Sequence, residues 1–280
     1  MPRFIIVVFA LVAFACNQTK KADAPLTEFS NYYNYLPPEA FYSQNVGDTF
    51  KIFKATPQGY NPDSARTYPL IVLLDANAFF ESTVTEMKFN SYIGLIPKSI
   101  VIGIGYKNFT MMDSLRSRDY TYPVAIPEYE MALSGGADKM KAFIDQELLP
   151  KLSAEFKIDK ENVVLCGHSL GGYFALYYGL TSIANNSYPV KNIVAVSPSL
   201  HYNNNYLPGF EKTIAPSTNV PLKIYLSAGS EDETGELLRS FTSQITPRGV
   251  KITSVEYSNF GHIDAALPGF IKGLTFIFTE

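Results

Sequence analysis

The stretch Asn162-Val163-Val164-Leu165-Cys166 runs without a break into Gly167-His168-Ser169-Leu170-Gly171-Gly172 and then into an apolar segment that ends near Leu180. An apolar run of this length, rich in branched residues, is the pattern of a strand buried on both faces. The spacing after it is that of an amphipathic or buried helix. Gly-x-Ser-x-Gly between the two demands a strand-to-helix turn so tight that side chains at the glycine positions would collide with neighbouring backbone. Such a turn lifts the Ser169 hydroxyl above the sheet edge and points the amide of Leu170 at the same space, which is the arrangement a nucleophile and an oxyanion donor need.

The rest of the chain supports a sheet around that turn. Apolar runs at Thr49–Ala55, Leu70–Leu74, Ile100–Ile104, Ile193–Val196, Leu222–Ser227 and Ile252–Tyr257 read as further strands. Helical spacing lies between them: Met140, Phe143, Ile144, Leu148, Leu152 and Phe156 recur at three-to-four intervals, predicting a helix from about Asp138 to Phe156 with a kink at Pro150. A closing helix is predicted from Ala265 to Phe278, with Phe270, Leu274 and Ile277 facing the sheet. This alternation predicts an α/β fold with a mostly parallel central sheet covered by helices. At 280 residues and 46% hydrophobic residues, one domain suffices to bury the core.

A serine hydroxyl is a weak nucleophile at neutral pH and needs a base within hydrogen-bond reach. There are three histidines. His168, next to the nucleophile, is expected to point into the fold and pack there. His201, in Ser197-Pro198-Ser199-Leu200-His201, follows a strand end and is placed to line the substrate pocket. His262 lies after the last predicted strand, in the position that the chain order nucleophile, acid, histidine assigns to the base. The acid belongs after Leu222–Ser227, where Glu231-Asp232-Glu233 offers three carboxylates; Asp232 fits the spacing from Gly229, with Glu231 and Glu233 as alternatives. A second oxyanion donor is expected from a backbone amide after Leu70–Leu74, at Ala76 or Asn77, and Asn77 is preferred by position. Loop residues from Tyr106 to Gly136 are expected to wall the site, with Tyr120 stacking on the substrate. Arg118 either holds an oxygen-rich group on the substrate or pairs with an acidic neighbour to pin the loop.

The ends and the composition limit what the protein meets. Arg3, the apolar run Phe4–Ala15 and Ala13-Phe14-Ala15-Cys16 form the pattern of a secretory signal, too short to span a bilayer. The pattern resembles a bacterial lipoprotein signal, with an ordinary cleaved signal peptide as the alternative; the lipoprotein reading implies removal of residues 1–15, a lipidated Cys16, a polar tether over 16–31, a folded domain over 32–280, and a periplasmic or cell-surface lipoprotein held to the membrane through Cys16. The other cysteine is Cys166, so acylation of Cys16 leaves no pair for an intrachain disulfide. With 23 basic and 26 acidic residues and no basic run, the chain is no partner for nucleic acid.

Together, Tyr68-Pro69-Leu70 leading to Leu74-Asp75-Ala76-Asn77, Val101-Ile102-Gly103-Ile104-Gly105-Tyr106, Arg118-Asp119-Tyr120, Ser134-Gly135-Gly136-Ala137, the Ser169 turn and Ser197-Pro198-Ser199-Leu200 resemble the esterase family of α/β-hydrolases that includes siderophore, feruloyl and S-formylglutathione hydrolases. The resemblance is nearest to the periplasmic siderophore esterases. It runs from about Tyr42 to the carboxyl terminus, and it implies the α/β-hydrolase fold and a serine carboxylic-ester hydrolase working through an acyl-enzyme, with no metal or cofactor. Some members of the family resemble a Ser-His dyad, which leaves the acid open. Two other readings stand beside hydrolysis: an acyltransferase with the same residues, and a non-catalytic ligand-binding lipoprotein of the same fold.

Overall fold

The structure, a computed structural model, describes residues 32–210 and 220–279. The signal and lipidation residues, Cys16 among them, lie outside the described residues.

Eight strands form one sheet in the order β1-β2-β4-β3-β5-β6-β7-β8. They are β1 (Tyr33–Ser43), β2 (Asp48–Pro57), β3 (Tyr68–Leu73), β4 (Ile100–Gly105), β5 (Ile158–His168), β6 (Asn192–Val196), β7 (Lys223–Gly229) and β8 (Lys251–Tyr257). Strands β3 to β8 run parallel to one another; β2 is antiparallel to both β1 and β4. This is the α/β-hydrolase architecture, and each of the seven expected strands is present.

Alternation along the central strands decides which helices cover which face. Leu70, Val72, Ile100, Ile102, Val163 and Leu165 point to one side, packing with α2 (Phe109–Tyr120), α3 (Ala137–Phe143), α4 (Leu149–Glu155), α5 (Leu170–Ala184), α6 (Tyr202–Phe210) and α7 (Gly235–Ile245). Ile71, Leu73, Val101, Val164, Cys166 and Val194 point to the other, against α1 (Ala76–Tyr92) and α8 (Ala266–Thr279). Both faces of β3, β4 and β6 are dry, which is why they read as continuous apolar runs. Phe270, Leu274 and Ile277 are buried as expected.

Three differences from the sequence reading have physical causes. β1 went unread because it contains Pro37 and Pro38, which remove ladder donors; it lies at the sheet edge, and its register with β2 shifts between Leu36 and Glu39, so the prolines fall in the break. The helix expected over 138–156 is divided by a π-helical turn, Ile144–Leu148, that ends where Pro150 enters the first turn of α4. The wider turn absorbs the missing proline donor, so the segment is interrupted one turn before Pro150 rather than kinked on it. The stretch read as a loop from Tyr106 contains the helix α2. Its buried positions are Met112, Asp119 and Tyr120, too polar a set to show as a hydrophobic stripe.

Candidate active site

The carboxyl ends of β3, β5, β6, β7 and β8 bring the site together, as expected for ligands of parallel α/β sheets. Ser169 sits between β5 and α5 with φ 58° and ψ −121°, a strained backbone for a residue with a side chain. Glycine is obligatory at 167, where a Cβ would come within 2.2 Å of the Gly171 carbonyl oxygen, and the turn is tight at Gly172, where one would lie 3.0 Å from the Val196 oxygen. The amide of Leu170 belongs to the first turn of α5, where backbone donors have no acceptor within the helix.

The loops after β7 and β8 are zipped together. Ser230 donates its amide to Tyr257, Glu231 donates to Phe260, and a Cβ on Gly229 would lie only 2.0 Å from the Phe260 oxygen. This close passage sets Asp232 beside His262, with His262 Nδ1 at 2.8 Å from Asp232 Oδ2. The Asp232 carboxyl side chain is 5% exposed. Burial pushes its pKa up, but the Ser197 hydroxyl, the His262 imidazole and Thr234 outweigh that and hold it below the usual carboxylate range. Of the three candidate carboxylates, Asp232 is the one brought to the histidine; Glu231 and Glu233 face solvent. With Nδ1–H donated to Asp232, Nε2 is left as the basic nitrogen. The His262 ring centroid lies 4.8 Å from that of His168, the residue preceding Ser169. Among the described residues, the Ser169 hydroxyl hydrogen-bonds Ser199 Oγ at 3.4 Å and not His262. Bonds of this kind commonly close only when substrate is bound.

His168 packs inward as expected, edge-on to Phe79, with Nε2 at 2.8 Å from the His262 carbonyl oxygen. A carbonyl only accepts, so Nε2 carries a proton in this contact. Burial drives the His168 pKa down to about 4 from its ordinary 6.5. The sign follows from proton uptake: between pH 6.5 and 4 the unfolded chain binds a proton that the folded state refuses, so stability falls as pH drops through that window. The shift corresponds to about 3 kcal/mol. The stability advantage of the wild type over His168→Gln, which keeps a donor but does not titrate, is therefore expected to shrink from pH 6.5 to 4 in chemical denaturation. A difference that stays flat across that range would contradict the assignment.

The turn after β3 holds the other side. Asp75 has a left-handed backbone, φ 52°, and heads α1, so the amides of Ala76 and Asn77 lie in a first helical turn without internal acceptors. The Asn77 side chain does not cap α1; its Oδ1 accepts from the Tyr106 amide and its Nδ2 donates to the Tyr106 carbonyl, tying the end of β4 to the start of α1.

The residues expected to touch substrate are placed differently. Tyr120 is fully buried: its hydroxyl accepts from the Asp75 amide and its ring packs on Phe174, so it is part of the core and not a stacking platform. The cause is α2, which turns Tyr120 inward. Arg118 takes the loop-pinning arrangement, donating to Asp119 at 2.7 Å and to Asp48 at the start of β2 at 2.8 Å. His201 is exposed, with its ring stacked on Tyr129. The arginine that reaches the site is Arg116, two residues earlier on the opposite face of α2. It clasps Asp75 through two bonds, of 3.0 and 2.8 Å, and donates to the carbonyl of His168 at 3.2 Å. Thus one guanidinium joins the turn after β3 to the turn that carries Ser169. The Arg-x-Arg-Asp-Tyr spacing held the signal, and helical periodicity would have sent the two arginines to different faces.

A family model described as "Putative esterase" matches residues 43–269. The ferri-bacillibactin esterase BesA of Bacillus subtilis is 31% identical over 255 residues, covering 82% of this chain and 84% of the relative. The apo-salmochelin esterase of Escherichia coli is 28% identical over 159 residues, 54% of this chain and 47% of that protein. The crystal structure of the BES protein from Bacillus cereus superposes with a TM-score of 0.72 at 26% identity, covering 88% of this chain and 94% of that one.

Proposed function

Since the chain belongs to the Putative esterase family and is a serine ester hydrolase, we propose that Ser169 is its nucleophile, His262 the general base, Asp232 the acid that orients it, and that the substrate is an ester-bearing siderophore. The observation that carries the assignment is the 2.8 Å bond between Asp232 and His262 Nδ1, with the imidazole beside the nucleophile turn. Asp232 fixes the tautomer and stabilises the imidazolium that forms when Nε2 takes the Ser169 proton. Ser169 Oγ then bonds to the ester carbonyl carbon, and the carbonyl electron pair moves onto oxygen. The amides of Leu170 and of Ala76 or Asn77 receive that oxyanion. As the intermediate collapses, His262 returns the proton to the departing alkoxide. Water, deprotonated by the same nitrogen, repeats the sequence on the acyl-enzyme and frees Ser169.

The siderophore reading is supported by relatives named for ferri-bacillibactin and apo-salmochelin. Purified protein incubated with catecholate trilactone siderophores, metal-free and ferric, and with short p-nitrophenyl esters tests it by product analysis. Turnover of the siderophore at least as efficient as that of the simple esters is expected; hydrolysis of p-nitrophenyl esters alone would remove the siderophore from the reading. We further propose that a lipid on Cys16 holds the enzyme to a membrane outside the cytoplasm. Intact-mass spectrometry of the mature protein tests this, with an unmodified Cys16 as the opposing result.

A further inference from the structure

The turn that follows β6 touches the reacting oxygen. Ser197, at φ 43°, donates its amide to the Ser227 carbonyl, and Ser169 donates its amide to Val196 at the end of the same strand. Ser199 returns the contact, its amide 3.2 Å from the Ser169 carbonyl oxygen. Gly172, one turn into α5, lacks a side chain where a Cβ would meet Pro198 Cα at 3.2 Å, so the Ser-Pro-Ser turn is wedged against the nucleophile turn. Ser199 is 5% exposed. Among the described residues, its hydroxyl has one side-chain partner, Ser169 Oγ, at 3.4 Å.

A buried hydroxyl on rigid backbone, aimed at a nucleophile's oxygen, has a chemical consequence. A donor aimed at an oxygen that becomes negative is strengthened as the charge develops and needs no reorganisation to act. On the reading that Ser169 is the nucleophile, we infer that Ser199 is a further catalytic residue, which donates its hydroxyl hydrogen to Ser169 Oγ whenever that oxygen carries developing negative charge. In acylation the Ser169 O–H bond breaks, its proton passes to His262 Nε2 and the Oγ–carbon bond forms; Ser199 keeps its own proton throughout and stabilises Oγ as it loses its hydrogen. In deacylation water bonds to the acyl carbon and gives its proton to His262. The Oγ–carbon bond then breaks with its electron pair on Oγ, and Ser199 holds that oxygen until His262 reprotonates it. The contact therefore serves both half-reactions, unlike the amide donors, which act on the substrate's oxygen. It also accounts for the resting state, in which the Ser169 hydroxyl bonds Ser199 rather than His262.

The test is rapid-mixing kinetics of the full mature protein with a p-nitrophenyl ester, which resolves acylation from deacylation, together with the rate of fluorophosphonate labelling and mapping of the labelled peptide. Ser199→Ala is expected to slow acylation, deacylation and labelling each by about 10- to 100-fold, somewhat less than loss of a full oxyanion donor because the resting contact is long. Because both steps fall together, KM should stay within about two-fold. Ser199→Thr, which keeps the hydroxyl, should recover most of the loss, and the melting temperature of both variants should stay near that of the wild type; a role confined to packing would move the melting temperature and leave the labelling rate intact. Label on Ser169 at an undiminished rate in Ser199→Ala, or a defect seen only in KM, overturns this inference alone. Label on another residue overturns the nucleophile assignment and this inference with it.

Discussion

Ser169→Ala is expected to lower kcat for a p-nitrophenyl ester by at least ~10⁴-fold while leaving the fold intact, because it removes the atom that forms the covalent bond and no packing group. Among the described residues the hydroxyl bonds Ser199 alone, at 3.4 Å, and because that contact is long its loss costs the buried Ser199 hydroxyl little. His262→Ala should cost about as much, and the double variant no more than either single one, because the pair acts as one unit. Asp232→Asn should cost less, about 10²- to 10⁴-fold, since it spoils the tautomer of His262 without removing the base. Glu231→Gln and Glu233→Gln should be near neutral, as both side chains face solvent. Steady-state kinetics on the five single variants and the double variant checks the set. Turnover by Ser169→Ala within ten-fold of the wild type, on the scale of ~10⁴-fold expected, would sink the assignment of the nucleophile.

Arg116→Ala should damage both stability and rate. Asp75 is 2% exposed at its side chain and Arg116 17%. Removing the guanidinium leaves a buried carboxylate without its counter-charge, which costs about 3–5 kcal/mol. In a domain of this size that is a fall in melting temperature of roughly 10 °C. The same guanidinium joins the turn carrying Asp75, Ala76 and Asn77 to the carbonyl of His168, so the two turns proposed to supply the oxyanion donors lose their common brace. A displacement of about 1 Å at such a site costs on the order of 10² in kcat. Arg116→Lys keeps the charge but not the two-pronged bond and should fall between. The double variant Asp75→Asn/Arg116→Met should regain much of the stability, since no charge is left buried alone, without regaining kcat. Thermal melts and kinetics on the three proteins separate the two effects. A melting temperature unchanged in Arg116→Ala would show that the pair is not a structural clamp.

The contrast between Arg116 and Arg118 shows where sequence reading succeeds and where it stops. Residues 162–172 were legible because their chemistry is local: an apolar strand, obligatory glycines and a helix leave one conformation for the turn. The meeting of His262 with Asp232 was legible from chain order, since the parallel sheet delivers its loops to one edge in sequence. Arg116 was not, because α2 carries few apolar residues and its inward face is stabilised by ion pairs, so no hydrophobic period announced the helix. Once the segment is helical, positions 116 and 118 lie on different faces, and the one placed at the site changes with it. Tyr120 followed the same logic, read as a loop aromatic but turned into the core by the helix. α1 was likewise hidden: its buried set includes Thr83, Asn90 and Ser91, so the stripe is diluted with polar residues. The 3.4 Å meeting of Ser199 with Ser169 is a product of tertiary structure alone, as it joins residues thirty positions apart through two neighbouring strand ends.

The break in β1 bears on how copies of this protein behave toward one another. A sheet's outer strand normally offers a row of free donors and acceptors on which a stranger's strand can grow. Here that rim is cut into two short lengths, Tyr33–Leu36 and Glu39–Ser43, by a pair of prolines that have no N–H to offer. Beyond the cut, Glu39 is held by Lys54 and Lys151, and Lys54 in turn by Glu155, so the outer strand is tied back onto its own helix layer by charge. An invading segment would meet a broken ladder and would have to pull apart an ion cluster. The β1 edge of the sheet is thereby made a poor template for strand addition by another copy.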